Sequence, residues 1–358
     1  MTTDAMTMPE MVIMRRRVRR AVMVLTGLAV LLAVAFVMAI SLGALPIPVS
    51  DVVDTLVDVV TGRSASDPLH TTVILTIRLP RVLASAAAGV ILALSGVLLQ
   101  GLFRNPLADP GLLGISSGAA SGAMIFILTS GGTALAASAF SLPAAAAIGG
   151  LTAVVLVWRL GSIGGTSSVS LMILAGVALN ALLGAIIGFC SYVATEAQLK
   201  NMSFWLLGSV GAVDATMAGI MCVIAIVSLI CAQPLARGLH VLALGEREAA
   251  HAGVPVRRLT TSVILLVAAG VGIVVAYCGP IGFVGLVVPH IVRMLIGSDL
   301  RTVIPGSALL GATLLIASDC LARTIVIPRE LPIGVVTAAI GAPFFLSLLI
   351  RQRRREFV

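Results

Sequence analysis

Between Arg81 and Arg104 the chain runs for some twenty residues, VLASAAAGVILALSGVLLQGLF, without a formal charge. At 1.5 Å of helical rise per residue, such a run matches about 30 Å of hydrocarbon. Backbone inside a bilayer has no water to bond to, so a helix is the form open to it. A polar turn follows, with Arg104, Asn105 and Asp109 set around Pro106 and Pro110, and a second apolar run comes after it. The stretch from Ile77 to Gly118 is therefore expected to cross a membrane and turn back. Gly89, Ser95, Gly96 and Gly101 inside the run suit a helix that packs closely on other helices.

The rest of the chain extends this hairpin. Of its 358 residues 59% are hydrophobic and 11% charged, against roughly a quarter charged in soluble domains. The expected fold class is an all-α polytopic membrane protein, and the 36 glycines and 4% aromatic residues point to helices joined through small side chains. The net charge of +8 sits mostly in short loops and at the two ends. That is where the positive-inside rule puts it, so it gives no ground for a nucleic-acid partner. Five cysteines, Cys190, Cys222, Cys231, Cys278 and Cys320, are spaced singly and are expected to be buried free thiols. Arg15, Arg16, Arg17, Arg19 and Arg20 lead an apolar run from Ala21 to Leu42 that is too long for a signal-peptide core. It reads as an uncleaved first span.

Apolar runs between polar breaks give about ten spans, near 21–42, 76–101, 112–130, 134–158, 169–192, 216–234, 259–277, 281–297, 303–325 and 332–350. They make a single transmembrane domain over 21–350, with a cytoplasmic tail at 1–20 and a basic one at 351–358. Ten crossings put both ends on one side, and the arginines place that side in the cytoplasm. Arg78, Arg81 and Arg323 are among the few basic residues on the opposite face. The segment with Asp51, Asp54 and Asp58 has the spacing of a short amphipathic helix at the outer surface. Residues 193–215 read as an outer interfacial helix in which Trp205 is an anchor. From Pro234 to Arg258, two short amphipathic helices broken at Gly245 are expected, with leucines that call for a cytoplasmic partner.

Catalytic signals are missing from the sequence. It contains no GxxxxGK[ST] stretch for a nucleotide, no HExxH, and no Cys/His cluster at metal-ligand spacing. Ionisable groups in or beside spans carry the remaining signal. His290 and Arg293 stand one turn apart after Pro289, where they could satisfy backbone freed by the proline or mark the cytoplasmic rim. Asp319 and Arg323 are i, i+4 partners for an internal ion pair. Arg78 and Arg81 have no sequence-local acid, which suggests an acidic partner protein or a substrate carboxylate. An ion-coupled secondary transporter is the rival reading, and Asp319 is its one intramembrane acid.

Four blocks carry a resemblance, in order: RLPRVLASAAAGVILALSGVLLQGLFRNPLADPGLLGISSGA, LALGEREAAHAGV, GPIGFVGLVVPHIVR and ELPIGVVTAAIGAPFFLSLL. They resemble the permeases of ATP-binding-cassette importers for iron-siderophores, haem and cobalamin, over about Arg78 to Leu349. The resemblance implies a homodimer in a bacterial inner membrane, two cytoplasmic ATPase subunits that hold ATP and Mg, and a periplasmic binding protein. It implies no catalytic role and no cofactor for this chain. Arg78, Arg81 and Arg323 resemble residues that dock the binding protein. Coupling to the ATPase is implied for about 235–256, with Leu242, Leu244, Gly245, Glu246, Arg247, Ala249, Ala250, Gly253 and Val254. Asn105, Leu107, Ser167 and Ser168 resemble the cytoplasmic gate. Within the family, residues 178–213 and the ELPIG block are most similar to the haem permeases, so haem is the expected cargo, with a ferric siderophore or cobalamin as the alternative.

Overall fold

The structure is a computed structural model and describes residues 8–43, 45–61, 67–130, 141–161 and 169–356. Its helices are α1 (Met8–Ser41), α2 (Val49–Thr61), α3 (Pro68–Thr72), α4 (Leu79–Leu102), α5 (Ile115–Ser130), α6 (Ser141–Gly161) and α7 (Val169–Val193). They continue with α8 (Glu196–Leu206), α9 (Ala215–Leu242), α10 (Glu246–His251), α11 (Val256–Cys278), α12 (Val284–Ile296), α13 (Leu300–Thr324) and α14 (Ile333–Glu356). Among the described residues, seven stretches are long and apolar enough to cross a bilayer. Three shorter apolar helices, Ile115–Ser130, Val284–Ile296 and Ile333–Ser347, bring the set to the ten expected.

The bundle is built around α4. In the continuous helical stretch Pro68–Leu102, 83% of the apolar window is buried, against 11% in α7, so α4 is the axis and α7 a face. Helices α13, α9, α11 and α12 pack on α4. Two of these contacts depend on glycine. A Cβ on Gly89 would lie 2.1 Å from the carbonyl oxygen of Gly311 in α13, and one on Gly96 would lie 1.9 Å from that of Gly285 in α12. Backbones this close gain dispersion contact that larger residues would prevent.

α3 runs into α4 through a widened turn at Val73–Arg78, where the amide of Leu79 donates to Ile74 five residues back. Pro80 has no N–H and its ring would press on the carbonyl of Thr76, so the register slips by one residue ahead of it. α2 has the expected amphipathic form, with Val52 and Thr55 buried and Val53 and Val57 exposed. His70 Nδ1, 2.9 Å from Asp51 Oδ2, ties α2 to α3.

The structure refines several expectations. α9 does not stop near Pro234 but runs unbroken to Leu242, because Ala232, Ala236, Leu239 and Leu242 keep one buried face going past the proline. Of the two short helices expected between Pro234 and Arg258, α10 alone is separate. Trp205 packs half-buried against the main core, while its neighbour Phe204 is exposed. Of the five cysteines, Cys190 and Cys278 are buried and Cys231 is exposed.

Candidate functional site

The groups singled out in the sequence gather at the two ends of α4. At its N-terminal end three arginines lie close together. Arg81 Nε and Nη2 approach Asp319 Oδ1 at 3.0 and 2.9 Å, and its Nη1 donates to Glu330 at 2.8 and 3.0 Å. Arg323 Nε lies 3.2 Å from Asp319 Oδ2 but makes no aligned hydrogen bond there, so that contact is one of charge. Its Nη2 donates 3.0 Å to the carbonyl of Ala39. Arg78 donates to the carbonyls of Ile40, Ser41 and Leu45.

Helix ends leave their last carbonyls without intrahelical donors, and a guanidinium satisfies them well. Arg78 and Arg323 thus cap α1, while Asp319 holds Arg81 and Arg323 on one carboxylate. The three arginines are only 4–8% exposed. Arg78 and Arg81, which have no acid nearby in sequence, thus find their partners within the chain rather than on another molecule. The partners come from α1, from α13 and from the segment before α14, far off in sequence. Glu330, whose side chain is half exposed, is the one solvent-facing member of the cluster.

At the other end, α4 stops at Leu102 and Arg104 takes a left-handed φ of 51°. Asn105 Oδ1 accepts 2.9 Å from the Leu107 amide, which holds the turn and leaves the Leu107 side chain 43% exposed. Asp109 Oδ1 accepts 2.8 Å from Gly111, and Asn180 of α7 donates 3.0 Å to the Gly111 carbonyl. Burial pushes the Asp109 carboxyl up, and the Gly111 amide opposes the shift. Ser167 and Ser168 lie outside the described residues.

Beside this turn stands α10. Leu242 and Ala249 are buried, and Leu244 is 76% exposed. Gly245 has φ 134°, a backbone conformation that favours glycine where the chain leaves α9. After α10, Gly253 at φ 81° lets its amide bond to Ala250 at 3.0 Å and that of Val254 to Ala249 at 2.9 Å. This paired closure terminates the helix within one turn. Arg247 and Ala250 stay exposed. Arg104 Nη2 lies 3.9 Å from Glu246 Oε1 and links the two loops.

The FecCD transport family matches the chain over residues 31–351. The chain belongs to that family. The hemin transport system permease HmuU of Yersinia pestis is 44% identical over 79% of this chain and 84% of that protein. The vitamin B12 import permease BtuC of Citrobacter koseri is 42% identical over 78% of this chain and 83% of its own. An uncharacterised ABC transporter permease of Bacillus subtilis, YvrB, is 40% identical over 90% and 92%. A solved metal-chelate-type ABC transporter in an inward-facing conformation superposes with TM-score 0.80 at 33% identity, over 91% of this chain and 98% of that one. This FecCD chain is thus a multi-pass membrane permease of an ATP-binding-cassette importer and not an enzyme. The ion-coupled rival falls away, and Asp319, its required acid, is 1% exposed between two arginines.

One polar device of the FecCD chain escaped the sequence reading. Pro289 has no amide to give the carbonyl of Gly285 four residues back, and Gln100 Nε2 of α4 supplies the missing donor at 3.1 Å. Arg293 Nη1 in turn donates to Gln100 Oε1. The satisfaction of backbone expected of His290 and Arg293 is therefore done by Gln100, and His290 sits edge-on to Phe344 at 6.3 Å. A lone glutamine within a run without charge was the available signal.

Proposed function

We propose that this permease moves haem across a bacterial inner membrane as one of two identical subunits. In this reading both termini are cytoplasmic, two ATPase subunits bind ATP and Mg, and a periplasmic binding protein delivers the cargo. The observation that carries haem is the 44% identity to a hemin permease. Cobalamin, with a named B12 permease at 42%, is the second reading. The outward face of α7 and α8 supports a path for a flat apolar cargo between two copies, since Leu174, Leu182, Phe189, Tyr192 and Phe204 are all exposed.

In the same reading α10 and its flanks, with exposed Leu244 and Arg247, rest on the ATPase. Asn105 and Leu107 close the cytoplasmic end together with Ser167 and Ser168. Docking of the binding protein centres on Arg81, where an incoming carboxylate exchanges with half-exposed Glu330, while Arg78 and Arg323 hold the frame. Charge reversal by Arg81→Glu weakens docking, with strong salt dependence in the native pair.

The deciding experiment reconstitutes the chain with its ATPase and presents haem, a ferric siderophore or cobalamin on the binding protein. Haem should raise ATP turnover most. A larger response to cobalamin or the siderophore overturns the assignment of cargo.

A further inference from the structure

We propose that the cavity between the C-terminal ends of α4, α9 and α12 and the start of α13 binds the phosphate headgroup of an anionic lipid. The cavity is about 300 Å³ and is lined by Arg104, His240 and Arg293 together with Leu239, Ala243 and Leu300. Among the described residues Arg293 takes part in no ion pair. Its one recorded side-chain bond goes to the neutral amide oxygen of Gln100. A half-buried guanidinium with free donors and no carboxylate is a cation awaiting an anion.

The opposite end of α4 supplies a control. There Arg78 and Arg323 donate to the carbonyls that end α1, and Arg81 is held by two carboxylates. Here three helices end and present carbonyls, yet neither Arg104 nor Arg293 donates to one of them among the described residues. Among the described residues the one ion-pair partner of these two arginines is Glu246, about two-fifths exposed and 3.9 Å from Arg104. Local helix ends therefore leave the forks unused.

The walls choose the ligand. A free phosphate would be stripped of water against Leu239, Ala243 and Leu300, whereas a glycerophosphate lays its ester body on them and its anion on the arginines. Arg293 stands one turn before α12 ends at Ile296, the depth at which headgroups lie. Basic pockets between helix ends are a recurring solution for such headgroups. The inference needs the membrane reading of the fold, and neither the cargo nor the gate.

The test purifies the full chain into micelles containing phosphatidylglycerol or phosphatidylcholine and counts retained lipid by native mass spectrometry. The wild type should keep phosphatidylglycerol over phosphatidylcholine. Arg104→Gln should cut its retention about fivefold, and Arg104→Gln with Arg293→Gln further. Arg293→Lys should keep most of it. Arg104 is exposed, so its variant decides the matter even if Arg293→Gln fails to fold. Equal retention of the two lipids, or wild-type retention by Arg104→Gln, overturns the proposal. Displacement of the lipid by millimolar inorganic phosphate would make this a free-anion site instead. Displacement by the partner ATPase would make the cavity part of a subunit interface. Either result also overturns the lipid assignment.

Discussion

At the N-terminal end of α4, Arg78, Arg81 and Arg323 lie buried, and their donors meet carbonyls of α1, one carboxylate of α13 and Glu330. At the C-terminal end, Arg104 and Arg293 make one 3.9 Å ion pair and one bond to an amide oxygen. The residue type is the same, but its partners differ. Arginine sealed by other elements fastens α1, α4 and α13 together, since withdrawing one partner strands charge in a dry place. Arginine left open can change partners at little cost. At the N-terminal end only the Arg81–Glu330 contact, with Glu330 half exposed, shares that openness, whereas Arg78, Arg323 and Asp319 are sealed.

The strongest way to break this contrast is Asp319→Ala. It leaves Arg81 and Arg323 buried with Glu330 as the one carboxylate in reach, and should cost about 3–5 kcal/mol of folding stability. Chemical unfolding in mixed micelles would measure it. A loss below about 1 kcal/mol would mean that the cluster is hydrated and that the two ends do not differ in kind.

A smaller effect is expected from Gln100→Leu, which orphans the Gly285 carbonyl and loosens Arg293, at about 1–3 kcal/mol. Pro289→Ala sharpens the argument, because an alanine amide can bond back to Gly285. Added to Gln100→Leu, it should recover more than half of the loss in the same assay. Without recovery, the carbonyl freed by Pro289 is not what Gln100 serves.

Far more of the fold than of the site could be read in the sequence. Each expected apolar run coincides with an apolar helix among the described residues, because a bilayer leaves each run one way to satisfy its own backbone. The amphipathic α2 and the Asp319–Arg323 pair were local patterns and were legible for that reason. Glu330 on Arg81, and α1 carbonyls on Arg78 and Arg323, join residues that local spacing cannot bring together. The same holds for Gln100, whose partner is a carbonyl exposed by a proline in another helix. α9 outran its expected end because buried Leu239 and Leu242 outweighed Pro234. A proline on the open side of a helix loses one hydrogen bond, whereas two buried leucines keep about 1.5–3 kcal/mol each.

The smallest effect belongs to Arg104→Gln. Both partners of its pair with Glu246 are about two-fifths exposed and stand at the outer limit of an ion pair, so solvent screening leaves it at most about 1 kcal/mol. The left-handed backbone at Arg104 persists in the variant, since the turn is held by Asn105 and its own bond to the Gln100 carbonyl. The variant should therefore unfold within about 1 kcal/mol of the wild type, and Glu246→Gln should match it. The comparison between the two ends stands or falls on this near-silence. Were Arg104→Gln to approach Asp319→Ala in its loss, the arginines of this face would also be fastening the frame. The α10 loop would then be a rigid part of the bundle rather than a contact free to shift.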